Sequence, residues 1–365
     1  MTQVYCESTI EEICNVEYGT RVVRKKDAGT IYPVYGGGGE TFFLDTFNRE
    51  NRVVVARFAM SERCTRRVLG KFALNDSGLT LSPKDASILR QDYLDYFVLS
   101  INEQIYESAR GTAQKNLDVP AFRNMKVVYP RSLKKQQEIV KKLDSAFSEI
   151  ERIRLNIFEQ IDASLSLLSH AIRNLINDPK LKCRNTTLDN ICENLDNKRI
   201  PITRDVRASG EFPYYGASGI IDYVKNYIFE GDALLVSEDG ANLLARSTPI
   251  AFSVSGKYWV NNHAHILKFV DQDLQKYVEY LLENTKLDDF ITGAAQPKLT
   301  QRALNTIPIR IPVQESEIKQ VVAVISSLKE LSLSASENLQ LRLKLTDELQ
   351  ASLLGKYFKP GEAVA

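Results

Sequence analysis

The sequence lacks the features of several protein classes. It contains no run of eighteen apolar residues, so no segment is expected to cross a membrane as a helix. Its first residues show no basic segment followed by an apolar core, so we expect no secretory signal. Cysteine is scarce: there are five, and none forms a C-x-x-C pair. This pattern argues against a disulfide framework or a zinc module and favours a protein of the reducing cytoplasm.

An excess of charge of either sign is also missing. The 365 residues include 47 Lys and Arg against 46 Asp and Glu, which argues against a protein that coats nucleic acid indiscriminately. A local excess remains between residues 21 and 71, where eleven basic residues face five acidic ones. Such a segment is either a face that contacts phosphates or an ordinary solvated surface.

Motifs of catalysis are absent as well. We find no G-x-S-x-G, no H-E-x-x-H, no kinase signature set and no Asp/Asn-Pro-Pro-aromatic tetrapeptide of an adenine methyltransferase. The glycine run at 36–39 has no Gly-Lys-Ser/Thr after it, so it predicts a turn. His263 and His265 form an H-x-H pair, but no cysteine or carboxylate lies at a supporting spacing, so we interpret both as structural. The sequence therefore predicts no catalytic residue, no metal site and no cofactor.

What the sequence does contain is an internal repeat. Three blocks recur in the same order with offsets of 178, 180 and 182 residues: Ile13-Cys14 with Ile191-Cys192, Tyr32-Pro33-Val34-Tyr35-Gly36 with Phe212-Pro213-Tyr214-Tyr215-Gly216, and Gly111-Thr112-Ala113-Gln114 with Gly293-Ala294-Ala295-Gln296. Chance similarities would scatter these offsets. The sequence therefore predicts two copies of one unit, each about half of the chain.

Each copy is followed by a long segment with heptad-like spacing. After Pro130, apolar residues recur every three or four positions from Ile139 to Leu175, with Leu165 among them. After Pro312, a weaker stripe runs from Val321 to Leu353 and includes Leu349. This spacing is typical of coiled coils, in which one apolar stripe packs against another. We therefore predict two long helices that pair antiparallel within the chain.

The remaining segments predict two small α+β domains. Turn residues separate short β-type runs at 53–56, 126–129, 233–236, 264–267 and 307–311, and helix-like stretches lie at 92–108 and 274–284. The predicted boundaries are a first domain at 1–131, a first long helix at 132–182, a second domain at 183–313, a second long helix at 314–358, and a tail at 359–365.

Donor side chains gather near the turns of both halves. Arg and Lys suit guanine edges, Asn and Gln suit adenine edges, and all of them hold phosphates. The candidate DNA contacts are Arg21, Arg24, Lys25, Arg63, Arg66, Arg67, Lys71, Arg110, Gln114, Lys115, Asn242, Arg246, Gln296 and Lys298. Each could instead be an ordinary exposed side chain, and the paired glutamines could brace a shared turn. Residues that read bases should differ between the halves.

These blocks resemble the DNA specificity subunit of a type I restriction–modification system. The resemblance covers almost the whole chain and rests on Tyr35–Gly39, Tyr214–Gly219, Leu235–Asn242, Gly293–Leu299 and Ile309–Pro312. It implies two target-recognition domains, each followed by a long helix. It also implies a non-catalytic subunit that binds a bipartite, asymmetric site in double-stranded DNA.

The same resemblance implies partner subunits. Two modification subunits would supply S-adenosylmethionine-dependent adenine N6-methylation, and restriction subunits would supply ATP-driven translocation and cleavage. It fixes no base-contacting residue, so the DNA contacts rest on residue chemistry alone. Because Arg57–Met60 replaces the Ser237–Gly240 turn of the second half, we expect the halves to recognise different sequences.

Two other functions are compatible with parts of the sequence. A coiled-coil scaffold could organise partner proteins without reading DNA, but the basic excess between residues 21 and 71 speaks against it. A self-contained methyltransferase is disfavoured because the tetrapeptide is missing.

Overall fold

The computed structural model describes residues 5–293 and 295–358, and the predicted tail at 359–365 lies outside these ranges. The described chain divides into two compact units. The first unit comprises residues 5–158 and 340–358, and the second comprises the chain between 159 and 339. Each unit therefore holds one globular half together with parts of both long helices.

The first unit is built on a six-stranded sheet of order β2-β7-β5-β6-β3-β4 and a separate β1-β8 pair. Its strands are β1 (Tyr5–Thr9), β2 (Cys14–Tyr18), β3 (Tyr32–Gly36), β4 (Gly39–Leu44), β5 (Arg49–Ala56), β6 (Thr65–Leu74), β7 (Gly78–Pro83) and β8 (Lys126–Pro130). Its helices are α1 (Ile10–Ile13), α2 (Arg24–Asp27), α3 (Gln91–Ser100), α4 (Asn102–Glu107), α5 (Val119–Arg123) and the start of α6 (Leu133–Ile176).

The second unit contains two four-stranded sheets, β10-β17-β14-β15 and β12-β11-β16-β13, and a β9-β18 pair. Its strands are β9 (Cys183–Thr187), β10 (Glu193–Asn194), β11 (Ser209–Gly216), β12 (Gly219–Val224), β13 (Phe229–Glu230), β14 (Ala233–Ser237), β15 (Ala251–Val254), β16 (Lys257–Val260), β17 (Ala264–Lys268) and β18 (Pro308–Pro312). Its helices are the end of α6, then α7 (Asn242–Ala245), α8 (Gln272–Asn284), α9 (Gln301–Asn305) and the start of α10 (Glu315–Phe358).

The topology confirms the internal repeat. In the first unit β3 pairs antiparallel with β4 and parallel with β6, and in the second unit β11 pairs antiparallel with β12 and parallel with β16. The outer pairs β1-β8 and β9-β18 also correspond. All five predicted β-type runs fall on strands, and both predicted helical stretches fall on helices. The glycine run at 36–39 forms the predicted turn, between β3 and β4.

Each globular half is held by a core between its sheet and one amphipathic helix. In the first unit Tyr93, Tyr96 and Phe97 of α3 are buried beside the central strand residues Val53 and Val55. In the second unit Tyr277 and Tyr280 of α8 take the same role. β-branched residues suit the strand side of such a core because they pack well on a pleated surface.

The long helices pair antiparallel, as predicted. In the first unit Arg154 of α6 donates hydrogen bonds to Thr346 Oγ1 (2.9 Å) and Gln350 Oε1 (3.0 Å) of α10 and forms an ion pair with Asp347. In the second unit the end of α6, at Ile172, shares a core with the start of α10, at Ile318 and elsewhere. Early residues of one helix thus meet late residues of the other.

The structure corrects two details of the predicted helices. The first ends at Ile176 rather than at 182, because Pro179 disfavours helical backbone at the residue before it. Leu165 and Leu349, which the spacing predicts in the apolar seam, are 54% and 47% exposed. A helix with 3.6 residues per turn drifts from a strict seven-residue pattern, and Thr346, which the spacing places in or near the seam, is buried.

Candidate nucleic-acid interface

Two of the arginines predicted to contact DNA are bound to the long helices. Arg63 forms an ion pair with Asp347. Arg67 donates hydrogen bonds to Tyr96 Oη (2.5 Å) and to Asp144 Oδ1 (3.0 Å), and its guanidinium lies 4.6 Å from the centre of the Tyr96 ring. These contacts favour a role in fastening the first domain to its helices, and a role in DNA binding stays a prediction.

The predicted residues around Gly111 belong to a closed loop. Arg110 pairs with Asp118 at 2.5 Å, and Lys115 Nζ lies 3.9 Å from the centre of the Tyr106 ring. Gly111 has φ +110°, and a Cβ atom there would lie 2.2 Å from the Gln114 carbonyl oxygen. The turn therefore requires glycine, and the Gln114 side chain is exposed at its tip.

The corresponding loop of the second half is built in the same way. Thr292 and Lys298 exchange backbone N–H···O bonds of 2.9 and 2.7 Å, as Arg110 and Asn116 do at 2.8 and 2.7 Å. Gly293 has φ +87°, and a Cβ there would lie 2.4 Å from the Gln296 carbonyl oxygen. The backbone of both glutamines thus serves the shared turn, and both side chains are exposed.

Arg246 and Asn242 brace the second domain from within. Arg246 donates to the carbonyl oxygens of Leu282 (3.2 Å) and Thr285 (3.0 Å) at the end of α8, and burial lowers the pKa of its guanidinium. The Asn242 side-chain amide donates to the Thr248 carbonyl oxygen (2.9 Å) and accepts from the Thr248 N–H (3.0 Å). Both contacts favour structural roles, since carbonyl groups at a helix end need such donors.

Lys298 belongs to a charge cluster of the second unit, formed by Asp196, Arg199, Glu238, His265 and Lys298. Glu238 accepts from Arg199 Nη1 at 2.6 Å and faces Lys298 Nζ at 3.1 Å. The ring nitrogens of the fully buried His265 face Asp196 Oδ2 at 2.5 Å and the Leu299 carbonyl oxygen at 2.7 Å. Each ring nitrogen of His265 thus lies at hydrogen-bond distance from an oxygen atom.

Asp196, Glu238 and His265 offer ligand atoms within 4.8 Å of one another, a distance compatible with a metal ion. Burial raises the pKa of Glu238, but the Arg199 hydrogen bond, His265 and Lys298 outweigh it, so the pKa lies below its ordinary value. Arg199 and Lys298 thus pair with these carboxylates as counter-charges. The cluster therefore fits electrostatic stabilisation of the second domain.

The H-x-H pair is separated by the fold. His263 is half exposed and lies 2.9 Å from Asp239, whereas His265 points into the charge cluster. Asp196 approaches His265 from 69 positions earlier in the chain, so no local spacing could have revealed this contact. The structural interpretation of both histidines is consistent with this geometry.

The other predicted basic residues reach solvent. Arg21 lies in the loop after β2, Arg24 and Lys25 lie on α2, and all three are exposed. Lys71 is exposed, with its ammonium 4.6 Å from the centre of the Phe47 ring. Arg66 is partly exposed on β6. These five residues are the predicted cations best placed to meet a ligand from solution.

The sequence-based prediction did not include the residue of the second domain that is equivalent to Lys71. Lys257 lies 4.7 Å from the centre of the Tyr227 ring, as Lys71 does over Phe47. Cross-strand glutamates, Glu50 and Glu230, pair in register with Lys71 and Lys257 respectively. We call Lys71 and Lys257 the frame lysines. Both halves thus carry a lysine at this position, at an offset of 186 residues in the internal repeat. A search of the sequence for further repeated positions at this offset would find the pair.

The frame lysines sit on a repeated aromatic frame. Tilted ring pairs with centroids 5.0 Å apart occur in both domains, and so do edge-on pairs at 5.6 and 6.0 Å. They are Tyr32–Phe47 with Phe212–Tyr227, and Tyr35–Phe72 with Tyr215–Tyr258. Residues that are identical on this frame can make the same contact with a ligand in both domains. Exposed residues that differ on it can give the two domains different specificities.

Comparisons with known proteins agree with this repeated architecture. The family model described as the type I restriction modification DNA specificity domain matches residues 5–161 and again residues 182–344. A relative, the putative type I restriction enzyme specificity subunit S.HindORF215P of Haemophilus influenzae, is 35% identical over 143 residues. That match covers 39% of this chain and 37% of the relative, so the chain spans little more than a third of that protein's length.

Two solved structures share the fold. A chain from work on the structural basis of complex assembly and conformational transition of the type I R-M system has a TM-score of 0.72 at 13% identity, with 99% of this chain and 100% of that chain covered. The HsdS subunit from Thermoanaerobacter tengcongensis has a TM-score of 0.51 at 14% identity, with 98% and 97% covered. At such identities the likeness concerns the fold alone.

A scaffold function is not favoured by these matches. Within the residues that the structure describes, no helix is both long enough and apolar enough to span a membrane. The family model matches most of the chain, once in each half. The chain therefore belongs to the type I restriction modification DNA specificity family, as its sequence motifs predicted.

Proposed function

We propose that the chain is the non-catalytic DNA-recognition subunit of a type I restriction–modification complex in the cytoplasm. Each globular half, residues 1–131 and 183–313, binds one half of a bipartite, asymmetric site in double-stranded DNA. The observation that carries this proposal is the family match in both halves, on one shared aromatic frame, while Arg57–Met60 of the first half replaces the Ser237–Gly240 turn of the second. The difference supports two unlike half-sites.

The proposal extends to partners. Two modification subunits carry the adenine methylation, restriction subunits carry translocation and cleavage, and the long helices α6 and α10 organise them. The antiparallel pairing of α6 and α10 and the repeat of the halves support two equivalent modification sites. No cofactor is assigned to this chain. Its own contribution is to select the sequence on which the partners act.

The test is enrichment of bound DNA by the full chain together with its modification subunits. A randomised duplex library is bound, recovered and sequenced, and methyl transfer from labelled S-adenosylmethionine is measured for the complex and for the chain alone. We expect two short conserved blocks separated by unread positions, and methylation only with the modification subunits present. A scaffold would enrich no sequence, and a self-contained methyltransferase would act alone.

The frame lysines give a prediction about affinity. If Lys71 and Lys257 contact phosphates, then Lys71→Gln or Lys257→Gln should weaken binding to every duplex alike, because phosphates carry no sequence. The slope of log affinity against log salt should fall by about one for each lysine removed. Fluorescence anisotropy at several salt concentrations measures both quantities. An unchanged slope in both variants would show that these lysines interact with the cross-strand glutamates and do not contact DNA phosphates.

A further inference from the structure

Each domain has a second small core on the face of its sheet away from α3 or α8. The equivalent residues are Tyr35, Val54, Val68, Phe72 and Leu74 in the first unit, and Tyr215, Leu235, Val254, Tyr258 and Val260 in the second. These five positions match in type, with Phe72 replaced by Tyr258 as the only aromatic exchange among them. This shared core fixes which positions of the two domains correspond.

One position on this core differs in kind. Val54 pairs with Arg66 across β5 and β6, and Leu235 pairs with Phe252 across β14 and β15. Arg66 and Phe252 therefore occupy the same place. Phe252 is partly buried against the second domain's core, with its ring centre 6.0 Å from that of Tyr215. The first domain thus places a cation where the fold accepts an aromatic ring.

Arg66 also differs from its neighbours in the strand. Successive side chains of a strand point to opposite faces. Arg67 points to α3 and α6, where Tyr96 and Asp144 hold it, so Arg66 points to the other face. Arg66 pairs with Val54 through its backbone, but its side chain forms no ion pair and no hydrogen bond with any residue that the structure describes. Its guanidinium donors are thus available to a ligand.

The guanidinium lies beside the glycine turn between β3 and β4. Arg66 Nη1 is 3.3 Å from the position that a Cβ of Gly39 would occupy, and Gly39 has φ +117°. A Cβ at Gly38 would meet no atom within 4 Å, so that side of the turn is open. A turn without side chains lets another molecule approach the guanidinium closely.

From these contacts we propose that Arg66 is a specificity-determining residue that reads a guanine in the half-site of the first domain. The inference rests on the proposed function. Guanine presents O6 and N7 in the major groove as two acceptors, and a guanidinium donates to both at once. Phe252 has no such donors, so the second domain does not read guanine from this position. The exchange is therefore one physical cause of the asymmetry of the site.

The experiment compares Arg66→Phe and Arg66→Ala with the wild-type chain, each in complex with its modification subunits, by library enrichment. Arg66→Phe carries the residue that the same fold already holds in the second domain, and Arg66→Ala removes the cation without adding a ring. We expect one guanine of one half-site to lose its preference by about ten- to a hundredfold in both variants. The other half-site should be unchanged.

Lys71→Gln is the matched control, since it should lower affinity without changing either block. Retention of every guanine preference in both Arg66 variants would overturn the proposal. Equal weakening on all sequences would also overturn it and would identify Arg66 as a phosphate contact. If the wild-type complex enriched no sequence at all, the proposed function itself would fail. Thermal unfolding of each variant identifies a folding defect, and a chain with a wild-type midpoint but altered preference supports base reading.

Discussion

Replacing Phe358 with alanine is expected to lower the free energy of unfolding by about 3–5 kcal/mol, although this residue lies more than 200 positions beyond the first domain. Its ring centre is 5.1 Å from that of Tyr93 and 6.1 Å from that of Phe97, and its side chain is buried in the core of the first unit. Truncation would remove these contacts and leave a cavity among aromatic rings.

Leu349→Ala is the matched control in the same helix. Leu349 is 47% exposed, so its truncation should change the free energy of unfolding by about 0.5 kcal/mol at most. Urea denaturation followed by circular dichroism measures both variants. Fluorescence of Trp259, the only tryptophan, reports the second unit and should shift less than the circular dichroism signal in Phe358→Ala. Equal losses in the two variants would contradict burial of Phe358 in the first unit.

The sequence predicts the helix that carries Phe358 but not the core in which the residue lies. Periodicity along the chain is sufficient to predict long helices, and their antiparallel pairing follows because each apolar stripe needs a partner. The repeat predicts two similar domains because two copies of one sequence pattern fold alike. Which domain receives the end of α10 depends on contacts between residues far apart in the chain, and no local pattern carries that information.

The same limit applies to the candidate DNA contacts. Arg66 and Arg67 are adjacent and chemically identical, so the sequence gives them equal weight. The fold gives Arg67 an acceptor on Asp144, 77 positions away, and leaves Arg66 on the opposite face. Arg246 likewise finds its acceptors 36 and 39 positions later. Residue type therefore predicts what a side chain can bind, and only the fold shows which donors are already engaged.

A second large effect is expected in the charge cluster, where Asp196→Ala should lower the free energy of unfolding by about 3–5 kcal/mol. The Asp196 carboxylate accepts from His265 at 2.5 Å and from the Ile266 N–H at 2.9 Å, and its side chain is 4% exposed. Removing the carboxylate leaves one buried donor on His265 and one on Ile266 without a partner. His263→Ala is the control, because its contact with Asp239 is partly exposed and should be worth about 1 kcal/mol or less.

The cluster also predicts how stability depends on pH. Burial raises the pKa of Asp196, but the hydrogen bond and charge of His265, the Ile266 N–H and Arg199 outweigh it, so the pKa falls below its ordinary 3.8. Glu238 is likewise held below its ordinary 4.5. A carboxyl group whose pKa is lower in the folded state contributes stability above its ordinary pKa and loses it as the pH falls through the folded value. The wild-type chain should therefore lose this contribution below about pH 4.

Other groups titrate in the same experiment, so the informative quantity is the difference between variant and wild type. Burial raises the pKa of Asp95 in the first unit to about 6, and this group acts with the opposite sign because its protonation favours the folded state. Its contribution cancels in the difference, since Asp196→Ala leaves it in place. Urea denaturation from pH 7 to pH 3 measures the difference in the free energy of unfolding between the wild type and Asp196→Ala. We expect this difference to be several kcal/mol near pH 7 and to become smaller towards pH 3. A difference that stays constant would mean that Asp196 stabilises the domain through packing alone, because a purely steric contribution does not titrate.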